Sequence, residues 1–322
     1  MRRFGLLRRS DGLSLYHVGM YQVVRQSISQ FIPLRHQRYH VRVWGEPQPG
    51  VPTLVMVHGW MDVSASFQFM IDAMHSGRHI VAPDWRGYGL TTAAPTDNYW
   101  YPDYMADLDF LLDHYSPNAP VDLLGHSMGG HVVMMYAGVR PKRIRRLINM
   151  EGFGMPAAKP EDAPARYTRW MNELKAHSRG ELALKGYDSL HAVARRLMKT
   201  NPRLSLDKAE WLASHWSARG EDGQWRILGD SAHKIINAQL FRLEEVLALY
   251  RHISAPLLNI EAETNEMNDW YQGRYTQAEY HERLKAVPNS RTLTVPNAAH
   301  MMHHDQPDWL AQEIEAFLLA PA

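Results

Sequence analysis

The chain contains no cysteine. Disulfide frameworks, thiolate metal sites and cysteine nucleophiles are therefore excluded, and a reducing cytoplasm is the simplest expected location. Charge bias is missing too: 35 Lys and Arg against 34 Asp and Glu leave a formal net charge of +1. With no basic face or tail to attract a polyanion, no nucleic-acid partner is expected. No apolar run is long enough to span a bilayer. Basic pairs at Arg2-Arg3 and Arg8-Arg9 would open an export signal only if an apolar stretch followed; residues 4–7 are too short for one, and Asp11 interrupts. Residues 1–30 are accordingly expected to form a mobile segment, with Met20 as an alternative start. Gly87-x-Gly89 and Gly152-x-Gly154 lack the third glycine and the setting of a dinucleotide loop. No cofactor is expected, and there are no internal repeats.

What is present is an alternation of two rhythms. Residues 34–44 read as a strand or hairpin. Short apolar runs follow at 53–57, 79–82, 121–124 and 147–150, each bounded by turn signals, as expected of central parallel strands. Helical periodicity separates them at 67–74, 101–114 and 128–137. From 154 to 254 the pattern is helical, with candidates at 165–177, 189–199, 205–218 and 232–251 and no convincing strand. Strand rhythm returns at 256–260 and 291–295, followed by helices at 276–286 and 307–319. The order predicts an α/β core over residues 31–153 and 255–322, with a mostly parallel sheet covered by helices on both faces. A helical insertion of residues 154–254 interrupts it.

One motif carries chemistry. The strand at 121–124 runs into Gly125-His126-Ser127-Met128-Gly129 and then a helix, the context that a nucleophile elbow requires. Glycines at 125 and 129 leave room where strand and helix nearly touch. The turn lifts the Ser127 hydroxyl to the carboxyl edge of the sheet, where open α/β sheets bind ligands. The Met128 N–H, at the helix N-terminus, faces the oxygen of a reacting carbonyl. A glycine-rich turn with an incidental serine is the bland alternative; the order of elements favours the nucleophile. A second motif, His58-Gly59-Trp60-Met61-Asp62, follows the strand at 53–57.

At these residues the chain resembles the α/β-hydrolase superfamily over nearly its whole ordered length. The resemblance implies the α/β-hydrolase fold with a helical cap. It also implies a second oxyanion N–H on Trp60 and a catalytic histidine after the last strand, at His300 within Pro296-Asn297-Ala298-Ala299-His300. Asp84-Trp85-Arg86-Gly87-Tyr88-Gly89 is similar to the family's Asp-x-Arg-Gly-x-Gly turn, with Asp84 and Arg86 read as structural. The acid is where the chain departs. The commonest family position falls on Asn265, which holds no charge, with Glu263 and Glu266 beside it. Some members, notably a group of haloalkane dehalogenases, take the acid from the end of the strand after the nucleophile helix, and there this chain has Glu151. Glu151 is favoured over Glu263 or Glu266, and the order Ser127, Glu151, His300 fits. That similarity to dehalogenases stops at the nucleophile, which in them is aspartate.

His303, His304 and Asp305 raise the question of a metal. No H-E-x-x-H or similar spacing is present, and 18 histidines make chance clusters common. No metal is expected, and His303 is read as a pocket-wall or packing residue. Trp170, Met171, Trp211, Trp216 and Trp225 in the insertion, with Met134 and Met135 after the elbow, either line an apolar pocket or form the cap's own core. The expected activity is a cofactor-free serine hydrolase that cleaves a small-to-medium hydrophobic carboxylic ester through an acyl-enzyme. Carbon–carbon bond hydrolysis, perhydrolysis and acyl transfer use the same residues and stay open. A non-catalytic ligand receptor on this fold is the rival of another class, with Asn265 in its favour.

Overall fold

The computed structural model describes residues 20–92 and 94–321. The core opens with an antiparallel hairpin of β1 (Ile28–Leu34) and β2 (Gln37–Trp44). Next come β3 (Leu54–Val57), α1 (Gln68–Ala73), β4 (Ile80–Pro83), α2 (Tyr101–Tyr115), β5 (Val121–His126), α3 (Met128–Val139) and β6 (Ile144–Met150). Then follow α4 (Ala163–Ser178), α5 (Leu190–Thr200), α6 (Leu206–Trp216), the short strands β7 (Ser217–Arg219) and β8 (Trp225–Ile227), and α7 (Leu243–His252). The chain returns to the core with β9 (Leu257–Ala262), α8 (Met267–Tyr271), α9 (Gln277–Leu284), β10 (Ser290–Val295), α10 (Met302–Asp305) and α11 (Pro307–Leu319).

Eight strands form one sheet in the order β1-β2-β4-β3-β5-β6-β9-β10. Only the β1–β2 and β2–β4 pairs are antiparallel. Alternation along the strands divides the core in two. Val55, Val57, Leu123 and Leu147 pack on one face with α2, α3 and α7. Leu54, Met56, Leu124 and Ile148 pack on the other with α1 and α11. Both β3 and β5 are buried on both faces; β3 reads as an unbroken hydrophobic run, while in β5 the buried Asp122 is paired with Arg78 and Arg145.

Three departures from expectation have local causes. Residues 20–30 are tied down: the Tyr21 hydroxyl and the Val24 and Arg25 N–H groups all donate to the Asp72 carboxylate, and β1 begins at Ile28, before the expected boundary at 31. The paired arginines lie outside the described residues. In the insertion, the helix expected at 205–218 ends at Trp216, and residues 217–227 form an antiparallel ribbon around Gly220 and Gly223, the latter at φ +79°. The helix expected at 232–251 is confined to Leu243–His252. Before it, Asp230 caps a short 3-10 turn, Asn237 bonds the Gln239 N–H, and the His233 ring stacks on Tyr88 and Tyr99 at 3.9 and 3.7 Å. These side-chain bonds compete with helical pairing there.

Candidate active site

Loops at the carboxyl ends of β3, β5, β6 and β10 converge on Ser127. The turn after β5 is tight. Ser127 takes φ 54°, ψ −118°, well away from the left-handed helical basin. Its N–H donates to the Met150 carbonyl at 2.8 Å, and its carbonyl accepts from His131 at 3.0 Å, so β6 and α3 hold the residue from both sides. A Cβ at Gly129 would collide with the Val57 and His58 carbonyls, and one at Gly125 with the Gly129 carbonyl. Only glycine lets the helix approach the sheet this closely. Strain of this kind is held in place by surrounding structure and concentrates at functional sites.

Nδ1 of His300 lies 2.6 Å from Glu151 Oε2. The other carboxylate oxygen accepts the Ala262 N–H at 2.8 Å. Glu151 is buried, whereas His300 keeps 20% of its side-chain surface exposed. Burial drives the Glu151 carboxyl up, opposed by the Ala262 N–H; it drives the His300 imidazole down, opposed by the Glu266 charge. The edge of Trp270 packs on the His300 ring at 4.5 Å. The His126 ring donates from Nε2 to the His300 carbonyl at 2.8 Å, tying the elbow to the histidine loop. Asn265 has a different job: its Oδ1 accepts the Met267 N–H at 2.8 Å at the start of α8. Glu263 accepts the Asn297 N–H at 2.7 Å. Of the three candidate acids, Glu151 is the one bonded to His300.

The loop after β3 is braced from within. His58 Nδ1 donates to the Gly59 carbonyl at 2.8 Å, while Nε2 accepts the Trp85 N–H at 2.9 Å. That pattern defines a neutral ring, and burial lowers its pKa to about 4. Gly59 then passes close to Ser127: a Cβ built on it would stand 3.0 Å from the serine Cβ. Trp60 is half exposed, and its indole donates to the His233 carbonyl of the insertion at 3.2 Å. Trp216 donates to the Met61 carbonyl at 2.9 Å. Neither the Trp60 nor the Met128 backbone N–H donates to a backbone carbonyl among the described residues. Asp84 and Arg86 act as braces. Asp84 accepts from the Ser64 N–H and hydroxyl and from the Leu90 N–H, and it pairs with His40. Arg86 forks onto Asp107 at 2.5 and 2.6 Å.

Most of the apolar side chains considered for the pocket belong elsewhere. Met134 lies in the main core. Trp211, Trp216 and Trp225 pack with Val63, Phe69 and Leu212 in a separate cluster where the insertion meets the core. Trp170 reaches Asn98, and Met171 is exposed. His303 and His304 both contact the Ser66 hydroxyl, at 3.1 and 2.8 Å, while Asp305 accepts the Ala299 N–H, so the three do not form a common cluster. Neither Trp270 nor the His126–His300 tie is signalled by local pattern; both depend on how segments from separate strands meet.

Residues 52–307 match the family model for the alpha/beta hydrolase fold, and the chain belongs to that family. A serine hydrolase-like protein of Danio rerio is 22% identical over 303 residues, spanning 92% of this chain and 90% of its own. An sn-1-specific diacylglycerol lipase of Mus musculus is 23% identical over 278 residues, 83% of this chain and 81% of its own. A solved structure of a hypothetical protein from Pseudomonas aeruginosa PAO1 superposes with a TM-score of 0.78 at 23% identity, covering 92% of this chain and 99% of that one. The family match and these two relatives support a hydrolase, and the solved structure shows the shared fold. Among the described residues, no helix is long and apolar enough to cross a membrane.

Proposed function

We propose that the protein hydrolyses a small-to-medium hydrophobic carboxylic ester with Ser127 as nucleophile, His300 as general base and Glu151 as the acid that orients it. The observation carrying this reading is the 2.6 Å bond between His300 Nδ1 and Glu151, with the His300 carbonyl tied to His126, the residue before a serine on a tight, positive-φ turn. With Nδ1–H donated to the carboxylate, Nε2 is left bare to take the Ser127 proton as Oγ attacks the acyl carbon. The imidazolium that forms is stabilised by Glu151 and returns its proton to the departing alcohol. Water, deprotonated by the same nitrogen, then releases the acid from the acyl-enzyme. The Trp60 and Met128 N–H groups serve as the oxyanion donors; removing one such donor typically costs about 10²–10³ in kcat. Residues 154–254 act as a cap: Trp216 and His233 anchor them to the loop that carries Trp60.

An ester as the bond cleaved is supported by the mouse relative, a diacylglycerol lipase. The test is covalent labelling with a fluorophosphonate, read by intact mass. A single adduct that disappears in Ser127→Ala is expected. No adduct on folded protein would overturn the reading in favour of a ligand receptor. Product analysis with water, peroxide and alcohol as acceptors then separates ester hydrolysis from perhydrolysis and acyl transfer.

A further inference from the structure

Behind the elbow, one ligand atom from each of Asp62, His126 and His303 lies within 4.8 Å of the other two. All three residues are buried, at 7%, 2% and 0% exposure. Asp62 Oδ2, His126 Nδ1 and His303 Nδ1 each lack a hydrogen-bond partner among the described residues. One such orphan atom in a protein interior already calls for explanation; here three come from neighbouring side chains.

The outer nitrogens are occupied. His126 Nε2 faces the His300 carbonyl, which can only accept, so Nε2 carries the proton and the neutral ring presents a bare lone pair at Nδ1. His303 Nε2 faces the Ser66 hydroxyl at 3.1 Å. Both rings thus hold Nε2 against an outer partner and keep Nδ1 for the shared space, as metal-ligating histidines do. A buried carboxylate oxygen and imidazole lone pairs repel one another unless a proton or a metal cation lies between them.

We infer that Asp62, His126 and His303 bind one divalent first-row transition-metal ion of the zinc type. Two imidazoles and a carboxylate suit such an ion, with water as a fourth ligand. Ligands around a tetrahedral ion with bonds of about 2.1 Å stand about 3.4 Å apart, so the three atoms, which lie within 4.8 Å of one another, draw together as the ion binds. The three residues come from the loop that carries Trp60, from the position before Ser127 and from three residues after His300. One ion therefore pins the three loops on which the proposed oxyanion donor, nucleophile and base sit. Because the cluster is closed to solvent, the ion holds these loops and takes no part in bond making. The binding claim stands on the cluster alone; its effect on turnover rests on the hydrolase reading.

The test uses the full, untagged chain, stripped with a chelator and titrated with Co²⁺. One equivalent should bind with visible ligand-field absorption, be displaced by Zn²⁺, and raise Tm, as any ligand of the folded state does. Asp62→Asn and His303→Gln should lose that absorption and the Tm increase, while His191→Gln, at an exposed histidine, keeps both. Circular dichroism confirms that each variant is folded. The wild-type titration alone can overturn the site: folded protein that takes up no Co²⁺ refutes it. Equal uptake by all variants refutes it as well, because it would locate the ion on surface imidazoles. Fluorophosphonate labelling of the same samples is read separately. Cobalt uptake without labelling sinks the hydrolase reading, and labelling without uptake sinks the metal site.

Discussion

His300 and Glu151 stand 149 residues apart in the chain and 2.6 Å apart in space. Their bond joins the loop after the last strand to the end of β6, across β9, which lies between β6 and β10 in the sheet. Glu151 itself sits at φ 52° and is anchored through its N–H to the Ile260 carbonyl.

The acid assignment predicts a sharp asymmetry. Glu151→Gln keeps the size and loses the charge, so kcat should fall by about 10⁴ with KM little changed, the scale found when a triad acid becomes an amide. Asn265→Ala removes only the cap on Met267 and should stay within a few-fold of wild type. Steady-state kinetics on both variants decide it; the opposite ranking would falsify the assignment.

Gly59→Ala tests the packing behind the nucleophile. The new methyl would press on the Ser127 Cβ at 3.0 Å and on His126 Nδ1 at 3.3 Å. A displacement of about 1 Å in a reacting group can cost about 10² in rate, so a shift of a few tenths of an ångström should lower kcat by about 10-fold. Binding of a substrate analogue, measured by calorimetry, should change far less.

Acid sensitivity follows from the buried histidines. Burial lowers the pKa of His58, His131 and His233 from 6.5 to about 4, and that of His304 to about 3. Below pH 6.5 the unfolded chain takes up protons at these sites while the folded chain does not, so stability falls as pH drops from 6.5 towards 4. Asp62 and Glu151, raised by burial, act in the opposite sense but are fewer. Urea midpoints measured from pH 7 down to 4.5 should decline throughout. A flat profile would show that these rings are protonated, or exposed, in the native state.

Asp107 is a structural keystone distant from Ser127 in sequence. It accepts the Tyr39 hydroxyl and both arms of Arg86, and it pairs with Arg35 at 3.1 Å. Removing it leaves the largely buried Arg86 guanidinium with only Asp103, at 3.3 Å, and breaking a buried pair costs about 3–5 kcal/mol. Asp107→Ala should show a large drop in the urea midpoint, while whatever fraction stays folded still labels with fluorophosphonate at Ser127.

The elements of the core were legible in the chain because their periodicities are local. Unbroken apolar runs such as 54–57 announce strands buried on both faces, and Gly125 and Gly129 announce a turn too tight for any Cβ. Residues 307–319 read as a helix and form one over Pro307–Leu319. The insertion was less legible. Its ribbon at 217–227 and the broken start of the expected helix at 232–251 depend on side chains reaching the core, His233 between Tyr88 and Tyr99 above all, and period alone does not record such contacts.

By itself, then, the sequence determined the order of the core strands, the strand-turn-helix around Ser127 and the histidine that follows the last strand, since each is written in neighbouring residues. Which carboxylate meets His300 was decided only by the tertiary structure. Glu151 follows β6 while Glu263 and Glu266 follow β9, and the pairing of β6, β9 and β10 brings the first within hydrogen-bonding distance of His300. Asp62, His126 and His303 converge for the same reason. They come from the loop after β3, the last residue of β5 and the short helix α10, and a distance of a few ångströms between such segments is a property of the packed sheet, which no local pattern encodes.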